Sequence, residues 1–130
     1  MADPERHYAR WKRNADLAAK CGATLDSDWE IVLRFYSVLH LVEGYMRTKA
    51  ERFWSERHGD RSRHLRESPE VKGAAGSYRD LQDLSEQIRY DPEFAPQPAD
   101  LANAKGWATK VESFVRSKLE ARLVPTKTGA

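Results

Sequence analysis

The stretch that most restricts the fold is residues 27–46, which carries apolar side chains on two sides of one predicted helix. Ser27 and Glu30 form a capping-box pattern that marks the start of this helix. One face then carries Trp29, Val32, Leu33, Tyr36, Leu39 and His40, and a second carries Ile31, Phe35, Val38, Val42, Tyr45 and Met46. A helix that is apolar on two sides packs against several neighbours at once. The stretch therefore predicts the central helix of a bundle.

Three further helical patterns accompany the central one, at residues 4–21, 77–90 and 99–123. Ser77 is the predicted cap of the second of these, and Asp91-Pro92 ends it because the residue before a proline is pushed out of the α region. No stretch shows the two-residue alternation of a half-buried strand. We predict an all-α fold, an up-down four-helix bundle with four to five helices. We also predict that residues 1–124 form one domain and that residues 125–130 form a flexible tail.

The composition excludes several classes of protein. The 130 residues are 40% hydrophobic and 32% charged, which is typical of a globular chain with one modest core. The formal net charge of +2 argues against a general nucleic-acid coat protein and restricts any basic surface to a local patch. Cys21 is the single cysteine, which excludes an internal disulfide and fits a reducing compartment. Since the apolar stretch is too polar for a membrane span, we predict a cytoplasmic protein without a membrane partner.

The segment 51–68 is rich in arginine and is predicted to form a long basic loop. Its cationic side chains are Arg52, Arg57, His58, Arg61, Arg63, His64 and Arg66. Arginine presents a planar fork that suits phosphate, and Trp54 is available for stacking on a base, so one interpretation is a phosphate or RNA contact surface. The other is a solvated loop that its acidic residues partly neutralise. Both interpretations remain open.

Outside this segment, three residues are candidates for ligand binding. His40 lies on the central helix one turn after Tyr36, where a histidine is either a hydrogen-bonded core residue or a ligand contact. Arg89 and Tyr90 occupy the last turn of the third helical pattern. There an arginine stabilises the C-terminal end of the helix dipole, but the same pair also suits an anionic ligand. No spacing of histidines or cysteines indicates a metal site, and no motif indicates a cofactor.

Three segments in order resemble the HEPN superfamily of small helical domains. They are WEIVLRFYSVLHLVEGY in the central helix, HGDRSRHLRE after it, and YRDLQDLSEQIRYDPEF before the linker to the last helix. Together the matches cover about residues 27–120. The resemblance implies a four- or five-helix bundle that is usually dimeric. Many members are metal-independent ribonucleases with an R-x(4–6)-H motif, but after Arg89 this chain has no histidine in register.

The resemblance, together with Arg89-Tyr90, leads to a first hypothesis of a non-catalytic binding or scaffold module. It is a homodimer that binds a nucleotide or RNA through Arg89, Tyr90, Arg61, Arg63 and His40, in a bacterial defence or toxin–antitoxin system. The alternative is a metal-independent ribonuclease that uses His64 or His58 with Arg57 or Arg61. A third possibility is an interaction subunit that docks a protein partner through exposed aromatic residues.

Overall fold

The computed structural model describes residues 4–24, 27–49 and 58–123, with side chains except at 21–24 and 58–60. This part of the chain contains five α-helices and no strand. Helix α1 spans Pro4–Thr24, α2 Ser27–Arg47, α3 His58–Glu67, α4 Ala75–Tyr90 and α5 Pro98–Leu123, and a short 3-10 helix at Lys72–Ala74 precedes α4. The prediction of an all-α fold is confirmed, although α1 continues past its predicted end at residue 21.

Helix α1 runs antiparallel to α2, and α5 runs parallel to it. Gly44, near the end of α2, lies against His7 at the start of α1 and against Leu119 near the end of α5. Near the start of α2, the Glu30 carboxylate is 3.7 Å from the ammonium of Lys105, which is in the second turn of α5. The beginning of α5 therefore lies at the same end of the bundle as the beginning of α2.

Helix α4 also runs antiparallel to α2. Ile88 and Arg89, at the end of α4, lie beside Asp28 and Val32 at the start of α2. The four long helices therefore alternate in direction along the chain, and one end of the bundle gathers the first turns of α2 and α5 with the last turn of α4. In the described residues, no helix combines the length and the apolar character needed to cross a bilayer.

The core is built around α2, as its two apolar faces predict. Most of this helix between Glu30 and Met46 is buried, and α1, α4 and α5 each add one apolar stripe. The fully enclosed members with the largest side chains include Phe35, Tyr45, Tyr78, Leu81 and Leu119. Burial of apolar area of this kind is the main stabilising contribution in a helical bundle.

Helix α3 corrects the prediction of a loop across residues 51–68, because residues 58–67 are helical. Among its described side chains, at residues 61–67, the buried ones are Ser62, His64 and Leu65, of which Leu65 alone is apolar. Arg61 on the same helix forms an ion pair with Glu43 of α2, with 2.8 Å between Nε and Oε1. The inward face of α3 is mostly polar, so the helix has no apolar period for sequence analysis to detect. Residues 50–57 lie outside the described part of the chain.

The start of α4 differs from the prediction as well. The helix begins at Ala75, so Ser77 lies inside it and is buried instead of capping it. Gly73 belongs to the preceding 3-10 helix, where the Phe114 ring of α5 packs directly over it. This close approach needs a residue without a side chain, and it fixes the chain before α4 against α5.

The predicted end of α4 is confirmed at Tyr90, and Asp91 is extended before Pro92. Asp91 organises the linker, because its carboxylate accepts a hydrogen bond of 3.0 Å from the backbone N–H of Glu93. Helix α5 then starts with Pro98, and the Asp100 carboxylate accepts a 2.7 Å bond from the Gln97 backbone N–H. Each end of the linker is therefore organised by a local hydrogen bond.

Candidate functional site

An open pocket of about 290 Å³ lies where the first turn of α2 meets the last turn of α4. Its lining residues are Asp28, Trp29, Val32, Ile88 and Arg89. Val32 and Ile88 form an apolar surface, while Asp28 and Arg89 bring one carboxylate and one guanidinium. Within the described residues no ion pair joins these two groups. The pocket therefore offers an acceptor, a donor and an aromatic ring to a small ligand.

The guanidinium of Arg89 is held in place from two sides. Its Nη1 donates a 2.8 Å hydrogen bond to the hydroxyl oxygen of Tyr36, and its Nε donates a 3.3 Å bond to the Ser85 carbonyl in the preceding turn. The guanidinium carbon also lies 5.0–5.7 Å from the ring centroids of Phe35, Tyr36 and Tyr90. Contacts of an arginine with aromatic rings at this distance are attractive. Arg89 is therefore oriented before any ligand arrives.

One nitrogen of this guanidinium is unsatisfied. Nη2 of Arg89 is enclosed and has no hydrogen-bond partner. Of the three rings, that of Tyr90 is nearest to the guanidinium carbon, with 5.0 Å to the ring centroid, and the Tyr90 hydroxyl is a long 3.4 Å from Nη1. An enclosed donor without an acceptor costs about 1–3 kcal/mol, and more when it is charged. An acceptor from a ligand would recover that free energy.

Two aromatic side chains beside Arg89 are exposed to solvent. Trp29 is 60% exposed on the first turn of α2, and Tyr90 is 74% exposed at the end of α4. Large rings of this kind are normally buried, so an exposed pair around an oriented cation is informative. Such rings offer flat faces on which a base can stack.

His40 lies on the same side of α2 as Tyr36, one turn further along. Its Nδ1 is 3.0 Å from Nδ1 of His7 on α1, and the two rings stack with 5.2 Å between centroids. Burial, and next the positive charge of His7, lowers the pKa of His40 to about 4. The neutral imidazole therefore ties α1 to α2, which matches the predicted hydrogen-bonded core role and supplies a partner for His7 that the sequence does not reveal.

Glu43 is a buried carboxylate one turn beyond His40, with 2% exposure. It accepts hydrogen bonds of 2.8 Å from Nε of Arg61 and from Nε of Arg47. Next to them, burial raises the pKa of Tyr78, and the charge of Arg61 opposes this effect. Arg61 thus docks α3 onto α2, so its charge is compensated inside the bundle.

Three polar positions on one face of α2 therefore each contact a different helix: Tyr36 contacts Arg89, His40 contacts His7, and Glu43 contacts Arg61. Their spacing of four and three residues places them on successive turns.

The remaining predicted site residues are placed differently. His64 is buried at 8% exposure on α3, where its backbone carbonyl accepts a 2.8 Å bond from the Ser68 hydroxyl. Arg63 is exposed on the outer face of α3. His58 is the first residue of α3, with its side chain outside the described set, and Arg57 lies outside the described residues altogether. In the part of the chain that is described, no three acidic, histidine or cysteine side chains converge as a metal site would require.

Asp28 is a pocket residue that the sequence analysis did not single out, and Trp29, which was predicted to pack on an apolar face of α2, is exposed instead. The capping-box pattern does place Trp29 in the first turn of α2, at an end of the bundle, where a residue can lack neighbours on one side. Whether Trp29 is exposed depends on the position of the C-terminal end of α4 relative to α2. A sequence pattern does not contain that information.

Comparison with known proteins identified no relative: no family model, no curated protein and no solved structure matches the chain.

Proposed function

We propose that this protein is a non-catalytic module that binds a nucleotide in the pocket between α2 and α4. The observation that carries the proposal is the oriented guanidinium of Arg89, which has one enclosed nitrogen without an acceptor and lies beside the exposed ring of Trp29. A nucleotide offers a flat base and an anionic phosphate, which are the two partners that these side chains lack.

The base stacks on Trp29. Its indole is exposed at the pocket wall, and Val32 and Ile88 present apolar surface next to it. Stacking of one base on an aromatic side chain contributes about 1–3 kcal/mol. The pocket volume of about 290 Å³ is near the lower end for small-molecule sites, so it suits one nucleotide.

The phosphate binds Arg89. Arginine donates paired N–H bonds to phosphate oxygens, and a phosphate oxygen at Nη2 would satisfy the enclosed donor. Tyr90 covers the guanidinium only weakly, because its ring is mostly in solvent and its hydroxyl contact is long. A shift of Tyr90 away from Arg89 therefore admits the ligand at low cost, while Tyr36 keeps the guanidinium in position.

The order of sequence segments that resembles HEPN domains supports the same proposal. HEPN members with an adjacent arginine and tyrosine, the pair that Arg89 and Tyr90 form here, resemble the branch of the superfamily that does not cleave RNA. On that resemblance we also propose a homodimeric binding or scaffold role in a bacterial defence or toxin–antitoxin system. The ribonuclease alternative gains no support from the burial of His64, because a catalytic histidine must reach the RNA.

Isothermal titration calorimetry with nucleoside monophosphates and with a short single-stranded RNA tests the proposal. We expect the wild-type protein to bind, and both Arg89→Ala and Trp29→Ala to bind at least tenfold more weakly. The matched control is Arg79→Ala, since Arg79 is an exposed arginine on the same helix with only a 3.9 Å contact to Asp83. Equal affinity for free nucleotide and RNA would indicate that one nucleotide is sufficient for binding. Tighter binding of RNA would indicate that the ligand is the terminal nucleotide of an RNA strand. Absence of binding to both ligands, or binding unchanged by Arg89→Ala, would contradict the proposal.

A further inference from the structure

The second charged group of the pocket has no role in the function proposed above. Asp28 stands in the first turn of α2, directly before Trp29, and lines the pocket from α2, whereas Arg89 lines it from α4. Its side chain is partly buried, and no hydrogen bond or ion pair within the described residues engages its carboxylate. A carboxylate at this position would repel a phosphate, so it must face a different part of the ligand.

The part of a nucleotide that suits a carboxylate is an edge with two N–H donors. A carboxylate has two acceptor oxygens and no donor. Among the four common bases, guanine alone presents two adjacent donors, N1–H and the amino N2–H. Adenine and cytosine place one amino donor beside a ring nitrogen acceptor, and uracil places its single N–H between two carbonyl oxygens. Each of these bases would therefore place an acceptor lone pair opposite an oxygen of the Asp28 carboxylate, which is repulsive.

We propose that the pocket selects guanine nucleotides through Asp28. This inference rests on the proposed nucleotide binding and specifies its ligand. The base stacks on Trp29 with its N1–H and N2–H edge towards the Asp28 carboxylate, and the phosphate lies at Arg89 on the α4 wall. Asp28 and Trp29 are neighbours in one helical turn and line the same pocket, so stacking and edge recognition involve the same base. Bidentate bonds of this kind discriminate between bases by about tenfold to a hundredfold.

The test is a calorimetric comparison of the monophosphates of guanosine, inosine, adenosine, cytidine, uridine and xanthosine, and of deoxyguanosine. We expect the guanosine form to bind the wild-type protein about tenfold to a hundredfold tighter than the adenosine form. Inosine monophosphate lacks the amino group and should fall between them. Asp28→Asn should lose the preference for guanosine and gain affinity for xanthosine monophosphate, which carries a carbonyl oxygen in place of the amino group and accepts a bond from the asparagine amide.

Asp83→Asn is the matched control, because Asp83 is an exposed aspartate on α4 that does not line the pocket. Its affinities should equal those of the wild type, and circular dichroism checks that both variants fold. Similar affinities of the wild-type protein for all bases would overturn the guanine inference and leave nucleotide binding intact. A preference for ribose over deoxyribose without a preference among bases would also overturn it, because Asp28 would then bind the sugar. Binding of no nucleotide at all would overturn both proposals.

Discussion

Arg89 at the end of α4 donates a hydrogen bond of 2.8 Å to the hydroxyl oxygen of Tyr36 on α2. This bond joins two helices at the pocket and orients the guanidinium that we propose as the phosphate contact. Stability and ligand affinity should therefore change together when the bond is removed.

Tyr36→Phe removes the acceptor and keeps the ring. Because a partly buried charged donor then loses its partner, we expect the free energy of unfolding to fall by about 1.5–3 kcal/mol in urea denaturation. Nucleotide affinity should fall as well, since Arg89 then keeps only its longer hydrogen bond to the Ser85 carbonyl. Tyr90→Phe is the control, because its hydroxyl is exposed and 3.4 Å from Nη1, and it should change stability by less than about 0.5 kcal/mol. Equal effects of the two variants would show that the bond to Tyr36 has no special role.

Glu43→Gln tests the ion pairs that dock α3. The variant leaves Arg61 and Arg47 facing an uncharged group in a buried setting, so we expect a loss of about 3 kcal/mol in the free energy of unfolding. Asp83→Asn also removes one carboxylate beside an arginine, but on an exposed surface, and should cost less than about 1 kcal/mol. A Glu43→Gln protein as stable as the wild type would contradict the docking role.

The stability of the protein should depend on pH through His40. The unfolded chain protonates this residue near pH 6.5, whereas burial and the charges of His7, Arg10 and Arg61 lower its pKa in the folded state to about 4, with Glu43 opposing them. The contribution of neutral His40 is therefore complete above about pH 6.5 and is lost as the pH falls towards 4. Because the half-buried ring is partly screened by solvent, we expect a loss of about 1–2 kcal/mol over this range.

Urea denaturation of the wild type and of His40→Gln between pH 4 and pH 8 isolates this effect from the titration of other groups. The stability difference between the two proteins should be largest above pH 6.5 and shrink as the solution is acidified. A difference that stays constant with pH would refute the assignment.

Gly73→Ala tests the contact between the 3-10 helix and α5. An added methyl carbon would lie 2.4 Å from Cζ of Phe114, so the ring must leave its place, and we expect a loss of about 1–3 kcal/mol. The control is Gly106→Ala on α5, where an added carbon meets no atom within 4 Å. That variant should gain about 0.5–1 kcal/mol, because alanine favours a helix over glycine. Thermal denaturation of both variants measures the expected loss of stability in the first and the expected gain in the second.

The sequence predicts the long helices well because their boundaries are set locally. The two apolar faces of residues 27–46 predict α2, and Asp91-Pro92 predicts the end of α4. Helix α3 was missed because its docking depends on Glu43, which is 18 residues away along the chain from Arg61 and polar. Propensity and periodicity carry no information about such a tertiary contact.

Of the five residues that line the pocket, Arg89 alone was a candidate site residue from the sequence, and its exposed neighbour Tyr90 was a second candidate. Arg89 and Tyr90 stand out because they occupy the last turn before a proline break, which is a local signal. The pairing of His7 with His40 and the exposure of Trp29 follow instead from the antiparallel register of the helices and from the place where α4 stops. These are properties of packing, so no single segment of the sequence contains them.

The most direct test of the central claim is a nuclear magnetic resonance titration with guanosine monophosphate that follows side-chain N–H signals. We expect the Trp29 indole and the Arg89 Nε–H signals to shift with the same dissociation constant, while the indole of the buried Trp11, which donates to Glu112 in the contact between α1 and α5, stays unchanged. Unchanged Trp29 and Arg89 signals at saturating nucleotide, or shifts confined to α3, would contradict the assignment of the site.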